Sequence, residues 1–168
     1  MDYLYKRYRC SKETLKDTLN KYGVAIIPNV LNENECRDMV SGQWDFFEHI
    51  TQNWQVPIDR NNNKTWKEFW KLYPNHSMLI QHWGVGHSQV TWDLRQNPKI
   101  VDIFAHYWEC QPEDLLVSFD GFSFHLPHEI TKRGYFRGNT WYHTDQSYKR
   151  NELECIQSWV TGNDVERN

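Results

Sequence analysis

No part of this 168-residue chain stays apolar for the roughly 18 residues that a bilayer-crossing helix needs. Its first residues, MDYLYKRYRCSK, also lack the apolar core of a secretory signal. These two absences predict a soluble intracellular (cytoplasmic) protein with no membrane partner. Cysteine is sparse, and Cys10, Cys36, Cys110 and Cys155 stand far apart with no C-x-x-C pair. That spacing argues against a zinc ribbon and a disulfide framework, and it predicts free thiols in a reducing compartment. Neither sign of charge dominates: 19 Lys and Arg face 22 Asp and Glu. With no basic block, no nucleic-acid partner is expected, and the short basic stretch YLYKRYRCSK reads as a solvated arm. The glycines of WGVGHS are followed by no P-loop lysine, so a phosphate cradle is not predicted. Internal repeats, low-complexity tracts and clear linkers are missing too. At this length a single domain over residues 1–168 is expected.

Aromatic residues are plentiful, with 9 Trp, 9 Tyr and 8 Phe, which supplies the bulk for a core and excludes a wholly disordered chain. Helical patterns come first. SKETLKDTLNKYG predicts a helix with Ser11 as its cap, Leu15 and Leu19 on one face and Gly23 as terminator. GVAIIPNVL reads as a short buried strand over residues 24–27, stopped by Pro28. NENECRDMVSGQWDFFEHITQNW is the longest helical pattern. Asn32 and Glu35 form a capping box there, and Met39, Val40, Trp44 and Phe47 follow at helical period. DRNNNK predicts a loop and TWKEFWKLY a short helix. Two further helical pieces flank Asn97 and Pro98, the second burying Ile100, Val101, Phe104 and Tyr107.

The pattern then shifts to strand-formers. DLLVSFDGFSFHLP alternates as a strand or hairpin does, with Asp120-Gly121 as the turn signal. RGYFRGNTWYHTDQS and ELECIQSWVTGNDV predict two more strands. The expected fold class is thus α+β with a mainly β core, the helices falling at about 1–112 and the strands at about 113–168.

Within the second of these strands stands H-x-D. On a strand, residues i and i+2 share a face, so His143 and Asp145 project together. An imidazole beside a carboxylate makes two legs of the two-histidine, one-carboxylate triad of non-haem Fe(II) enzymes. A bare H-x-D is more often an ordinary hydrogen-bonded pair.

The wider wording adds to this. LNKYGVAIIPNVLNENECRDMV, WYHTDQS and CIQSWVTGNDV together resemble the phytanoyl-CoA dioxygenase-like branch of the Fe(II)/2-oxoglutarate-dependent oxygenases. The resemblance spans most of residues 18–165, with 54–86 only loosely similar. It implies a partial double-stranded β-helix (jelly-roll) with N-terminal helices packed outside. It also implies Fe(II) on His143 and Asp145, 2-oxoglutarate as co-substrate, and a small-molecule substrate. Trp159 stands at the position of a family tryptophan lining the 2-oxoglutarate pocket, and Gln157 shares its face, placed to bond a carboxylate. Taken alone, Trp159 reads equally as core and Gln157 equally as a solvent-facing amide.

The resemblance also implies a distal histidine and, beyond it, a cation for 2-oxoglutarate. Lys149, Arg150 and Arg167 follow Asp145, but no histidine follows His143. The chain is therefore expected to hold Fe(II) poorly and to be inactive by itself. Two readings follow: a fragment of a larger oxygenase, or a non-catalytic binding protein on the same scaffold. A third option is a zinc site using His125 and His128 with Glu129 or His143, set against an ordinary loop. His82 and His87 flank a glycine turn, and His49, His76 and His106 have no paired ligand. Trp141, Ser118 and Asp120 are further candidates for lining a cavity.

Overall fold

The longest element forms where the sequence offers its best helix start. The Asn32 side chain accepts a hydrogen bond from the Glu35 amide (3.0 Å), and the Glu35 carboxylate accepts one from the Asn32 amide (2.7 Å). From this reciprocal cap α2 runs over Glu33–Thr51 in the computed structural model, which describes residues 5–72, 79–131 and 143–164. Lys99 also binds the Glu35 carboxylate (2.6 Å). It and the Asn32 amide hold that group below the usual carboxylate range.

The preceding helix, α1 (Leu15–Tyr22), ends as expected at Gly23. Its φ of 69° is a left-handed value that glycine adopts without a Cβ penalty, and its amide donates to the Leu19 carbonyl. Ser11 is not the cap. It lies in a turn before the helix, where its amide donates to Thr14 Oγ1 (3.2 Å). After α2 a 3-10 helix, Asn63–Leu72, turns Phe69 and Leu72 inward. Next come β1 (Leu79–Ile80), α3 (Gln89–Arg95) and α4 (Pro98–Trp108). Pro98 takes the first turn of α4, and the Asn97 side chain caps it through the Lys99 amide (3.0 Å). β2 (Phe122–Ser123) pairs antiparallel with β1, setting Ile80 opposite Phe122. α5 (His128–Thr131) packs on the 3-10 helix. No helix among the described residues is long and apolar enough to cross a membrane.

Phe47, on α2, is the hub of the core. Its ring meets Phe69 at 4.7 Å and Phe124 at 4.8 Å, both edge-on, while Phe69 and Phe124 stack at 5.5 Å. Trp44 adds an edge contact to Phe124 at 5.0 Å. Such ring pairs contribute about 0.5–1.5 kcal/mol each beyond the area they bury. Ile58, Leu72, Ile80 and Val85 fill the remaining space. Buried Thr51 fastens the following loop to the helix: its hydroxyl donates to the Phe47 carbonyl (2.7 Å) and accepts from the Ile58 amide (3.0 Å). Arg60 binds the same loop to α2 through Glu48 (2.7 and 3.0 Å), Asp45 and the Ser41 hydroxyl (3.1 Å). The Arg60 guanidinium holds the Glu48 carboxyl below the usual range, and Glu48 in turn raises Arg60. A smaller cluster joins Met39 of α2 to Leu31 before that helix and Val90 of α3, and takes in Val160.

The architecture overturns one expectation. The chain does not form a mainly β core or a partial double-stranded β-helix (jelly-roll) with helices outside. Among the described residues helices carry the core, and the two-residue β1–β2 pair is the one sheet. Strand propensity reports only that side chains suit a pleated, half-buried surface; a strand also needs a partner ladder. Of DLLVSFDGFSFHLP only Phe122–Ser123 found one, and the described residues from 143 to 164 found none. Leu116 is 99% exposed and Trp159 is 82% exposed. Residues 24–27 likewise make one isolated bridge, Ile26 to Arg9, and leave Val24 and Ile26 exposed. Gly121 serves a close approach: a Cβ there would sit 1.7 Å from the Ile80 carbonyl oxygen. The part of the expected strand over 133–142 lies outside the described residues.

Candidate functional site

His143 and Asp145 open the last described segment. Thr144 donates from its hydroxyl to the Gln146 carbonyl (2.9 Å), a local turn that keeps the alternate side chains together. His143 Nε2 lies 3.1 Å from Asp145 Oδ1. The expected H-x-D pairing is therefore present, although no ladder supports it. Both side chains are about one-third exposed, so small solutes reach them.

The chain then doubles back, and Gln146 fixes the return. Its amide nitrogen donates to the Glu152 carbonyl, and its amide oxygen accepts from the Glu154 amide (2.7 Å). This two-sided bond mimics a rung of sheet with a side chain. It brings Gln157 alongside the pair: Gln157 Nε2 stands 3.4 Å from Asp145 Oδ1 and 3.5 Å from His143 Nε2. Beyond it Val160 docks on the Leu31, Met39 and Val90 cluster. Gly162 passes so near α2 that a Cβ would lie 2.4 Å from the Met39 methyl and 3.3 Å from the Cys36 carbonyl oxygen. The site is thus seated on α2 through residues 160–162. Reading the sequence missed Gln146 as the residue that folds the segment; the available signal was an amide immediately after H-x-D.

Other predicted residues fall elsewhere. Trp159 presents its ring to solvent. His125 is exposed between β2 and α5, and His128 is the first residue of α5, with Glu129 next to it. His82 precedes and His87 ends the glycine turn at Val85–His87, as expected, and the His87 ring packs against Phe119 at 4.3 Å. His49 and His106 are exposed on α2 and α4. Ser118 and Asp120 are exposed, and the Asp120 carboxylate accepts from Gln81 (3.3 Å). His76, Trp141 and Arg167 lie outside the described residues. A cleft of about 610 Å³ between α1 and α4 is crossed by the ion pairs Lys12–Asp102 (2.5 Å) and Lys16–Glu109 (2.7 Å); His106 lines it, and His143, Asp145, Gln157 and Trp159 do not.

The His143 and Asp145 donor atoms are spaced as two neighbouring ligands of one ion are. With bonds of about 2.1 Å at right angles, such atoms stand about 3 Å apart. An imidazole nitrogen with a carboxylate oxygen suits Fe(II), Mn(II) or Zn(II), so these two residues fit the iron that the resemblance implies. Among the described residues no group of three His, Cys, Asp or Glu gathers to hold a metal, by this pair or by His125. The four cysteines are free.

No family model matches the chain. No solved structure matches it. Among curated proteins it is similar to "Ava biosynthesis cluster protein O" of Aspergillus versicolor, 27% identical over 145 residues. That similarity covers 86% of this chain and 44% of the relative, so the chain spans less than half of the relative's length.

Proposed function

We propose that this chain carries iron-binding residues of an Fe(II)/2-oxoglutarate-dependent oxygenase, of the phytanoyl-CoA dioxygenase-like kind, that hydroxylates a small molecule in a biosynthetic route. The observation that carries the reading is the His143–Asp145 pair, whose donor atoms lie 3.1 Å apart on a segment open to solvent. The similarity to a protein named for a biosynthesis cluster supports the biosynthetic setting. Free thiols at all four cysteines suit a cytoplasmic location.

In this reading His143 and Asp145 bind the metal, and their two donors leave the remaining positions to other ligands. Fe(II) with bound 2-oxoglutarate supplies the oxidising chemistry: O2 and 2-oxoglutarate become succinate and CO2 while one oxygen atom enters a substrate C–H bond. His143 must present an unprotonated nitrogen and Asp145 an ionised carboxylate. Their donor atoms already stand 3.1 Å apart, so little movement brings both onto one ion. Trp159 and Gln157, two residues apart on the returning stretch, are the proposed contacts to 2-oxoglutarate and its metal.

The test is calorimetric titration of 2-oxoglutarate into the chain with and without Fe(II), under anaerobic conditions. Weak binding that needs Fe(II) and disappears in Asp145→Ala, in keeping with the poor hold expected of two protein ligands, is the expected result. Metal binding without any 2-oxoglutarate binding would sink the oxygenase assignment. Absence of both would favour a non-catalytic binding protein.

A further inference from the structure

We infer that Gln157 is the third protein ligand of the metal site, through its amide oxygen. This rests on the reading of His143 and Asp145 as metal ligands and adds a donor that the H-x-D motif does not contain. The three terminal atoms form a nearly regular triangle, with sides of 3.1 Å (His143 to Asp145), 3.4 Å (Asp145 to Gln157) and 3.5 Å (His143 to Gln157). The circle through them has a radius of about 1.9 Å, so one ion reaches all three at about 2.1 Å by sitting slightly off their plane.

The atom of Gln157 that faces the pair is the amide nitrogen, which donates to Asp145. Turning the amide about its last torsion puts the oxygen in the same place and makes a donor of the kind that Fe(II), Mn(II) and Mg(II) accept. The Gln146 amide fixes the return of the chain, and Val160 and Gly162 fix its far end on α2, so Gln157 is held from both sides. A neutral amide is a weak ligand. Affinity is therefore expected to be modest, above that of a two-residue site and below that of a site with a further histidine.

Gln157→Glu separates a ligand from a hydrogen-bond bridge, because the two roles predict opposite signs. Glutamate cannot donate to Asp145, and its charge repels that carboxylate, so a bridge is weakened. A metal ligand gains an anionic oxygen and is strengthened. The experiment is anaerobic titration with Co(II) and with Fe(II), read by visible absorption and calorimetry, on wild type, Gln157→Ala, Gln157→Glu and Asp145→Ala. Circular dichroism confirms that each variant is folded. The expected result is binding of one ion by wild type, at least tenfold weaker binding in Gln157→Ala, binding in Gln157→Glu as tight as wild type or tighter, and none in Asp145→Ala. If wild type and Gln157→Ala bind equally, Gln157 is no ligand and the His143–Asp145 reading stands. If Gln157→Glu binds more weakly than Gln157→Ala, the bridge role is correct and this inference fails. If wild type binds no metal, both readings fall together.

Discussion

Residues around Phe47 and residues 143–164 are held by different kinds of force. The first region is a lattice of rings: Phe47, Phe69 and Phe124 lie within 5.5 Å of one another and are almost wholly buried. The second hangs on the Gln146 amide, on the His143, Asp145 and Gln157 contacts, and on Val160 and Gly162 against α2. Apolar packing is cooperative and costly to open, whereas a segment of exposed polar contacts opens locally at little cost. The candidate chemistry thus lies on a segment tied to the core mainly through residues 160–162. On the proposed reading, stability and metal binding become separable properties.

The largest expected effect tests the first region. Phe47→Ala removes a ring that touches four others, and a loss of about 3–5 kcal/mol in urea denaturation is predicted. A loss below about 1 kcal/mol would show that the rings do not form one unit.

Arg60 gives a smaller effect with a pH signature. Arg60→Met leaves Glu48 and Asp45 without their cation, and a loss of about 1–2 kcal/mol at neutral pH is predicted. In wild type the Glu48 carboxyl is held low by Arg60. Its contribution is complete above the ordinary carboxylate value near 4.5 and is lost as pH falls through the lowered one. The difference between wild type and Arg60→Met should therefore shrink toward pH 3. A constant difference from pH 7 to pH 3 would contradict the assignment.

Gln146→Ala probes the second region alone. Its effect on melting should stay within about 1–2 kcal/mol, because the half-buried amide gives up two hydrogen bonds outside the apolar core. Co(II) affinity should nevertheless fall several-fold, because the return of the chain toward Gln157 loses its pin. Equal affinity would mean that Gln157 is placed by residues 160–162 alone.

The same contrast explains what the sequence made legible. Signals that act within a few residues were readable: the Asn32–Glu35 box, Gly23 after α1, and Pro98 opening α4 all depend on neighbours in the chain. The helical period of Met39, Trp44 and Phe47 marked the core face of α2 for the same reason. The expected β core failed because pairing is a long-range property. Leu116, Val117 and Trp159 have the side chains of strand residues, yet the described structure gives them no ladder. Gly121 looked like a turn and proved to be a backbone crossing against Ile80, which no local pattern distinguishes. In the site, the proximity of His143 and Asp145 was readable because a single residue, Thr144, separates them. The approach of Gln157 was not, since it depends on Gln146 turning the chain through a side-chain bond.

The most direct measurement of the central claim is amide hydrogen exchange of wild type with and without saturating Co(II), followed peptide by peptide. Metal held by His143, Asp145 and Gln157 predicts slower exchange in peptides spanning 143–160, unchanged exchange around Phe47, and no response to Co(II) in Asp145→Ala. Identical exchange in 143–160 with and without metal would contradict the account.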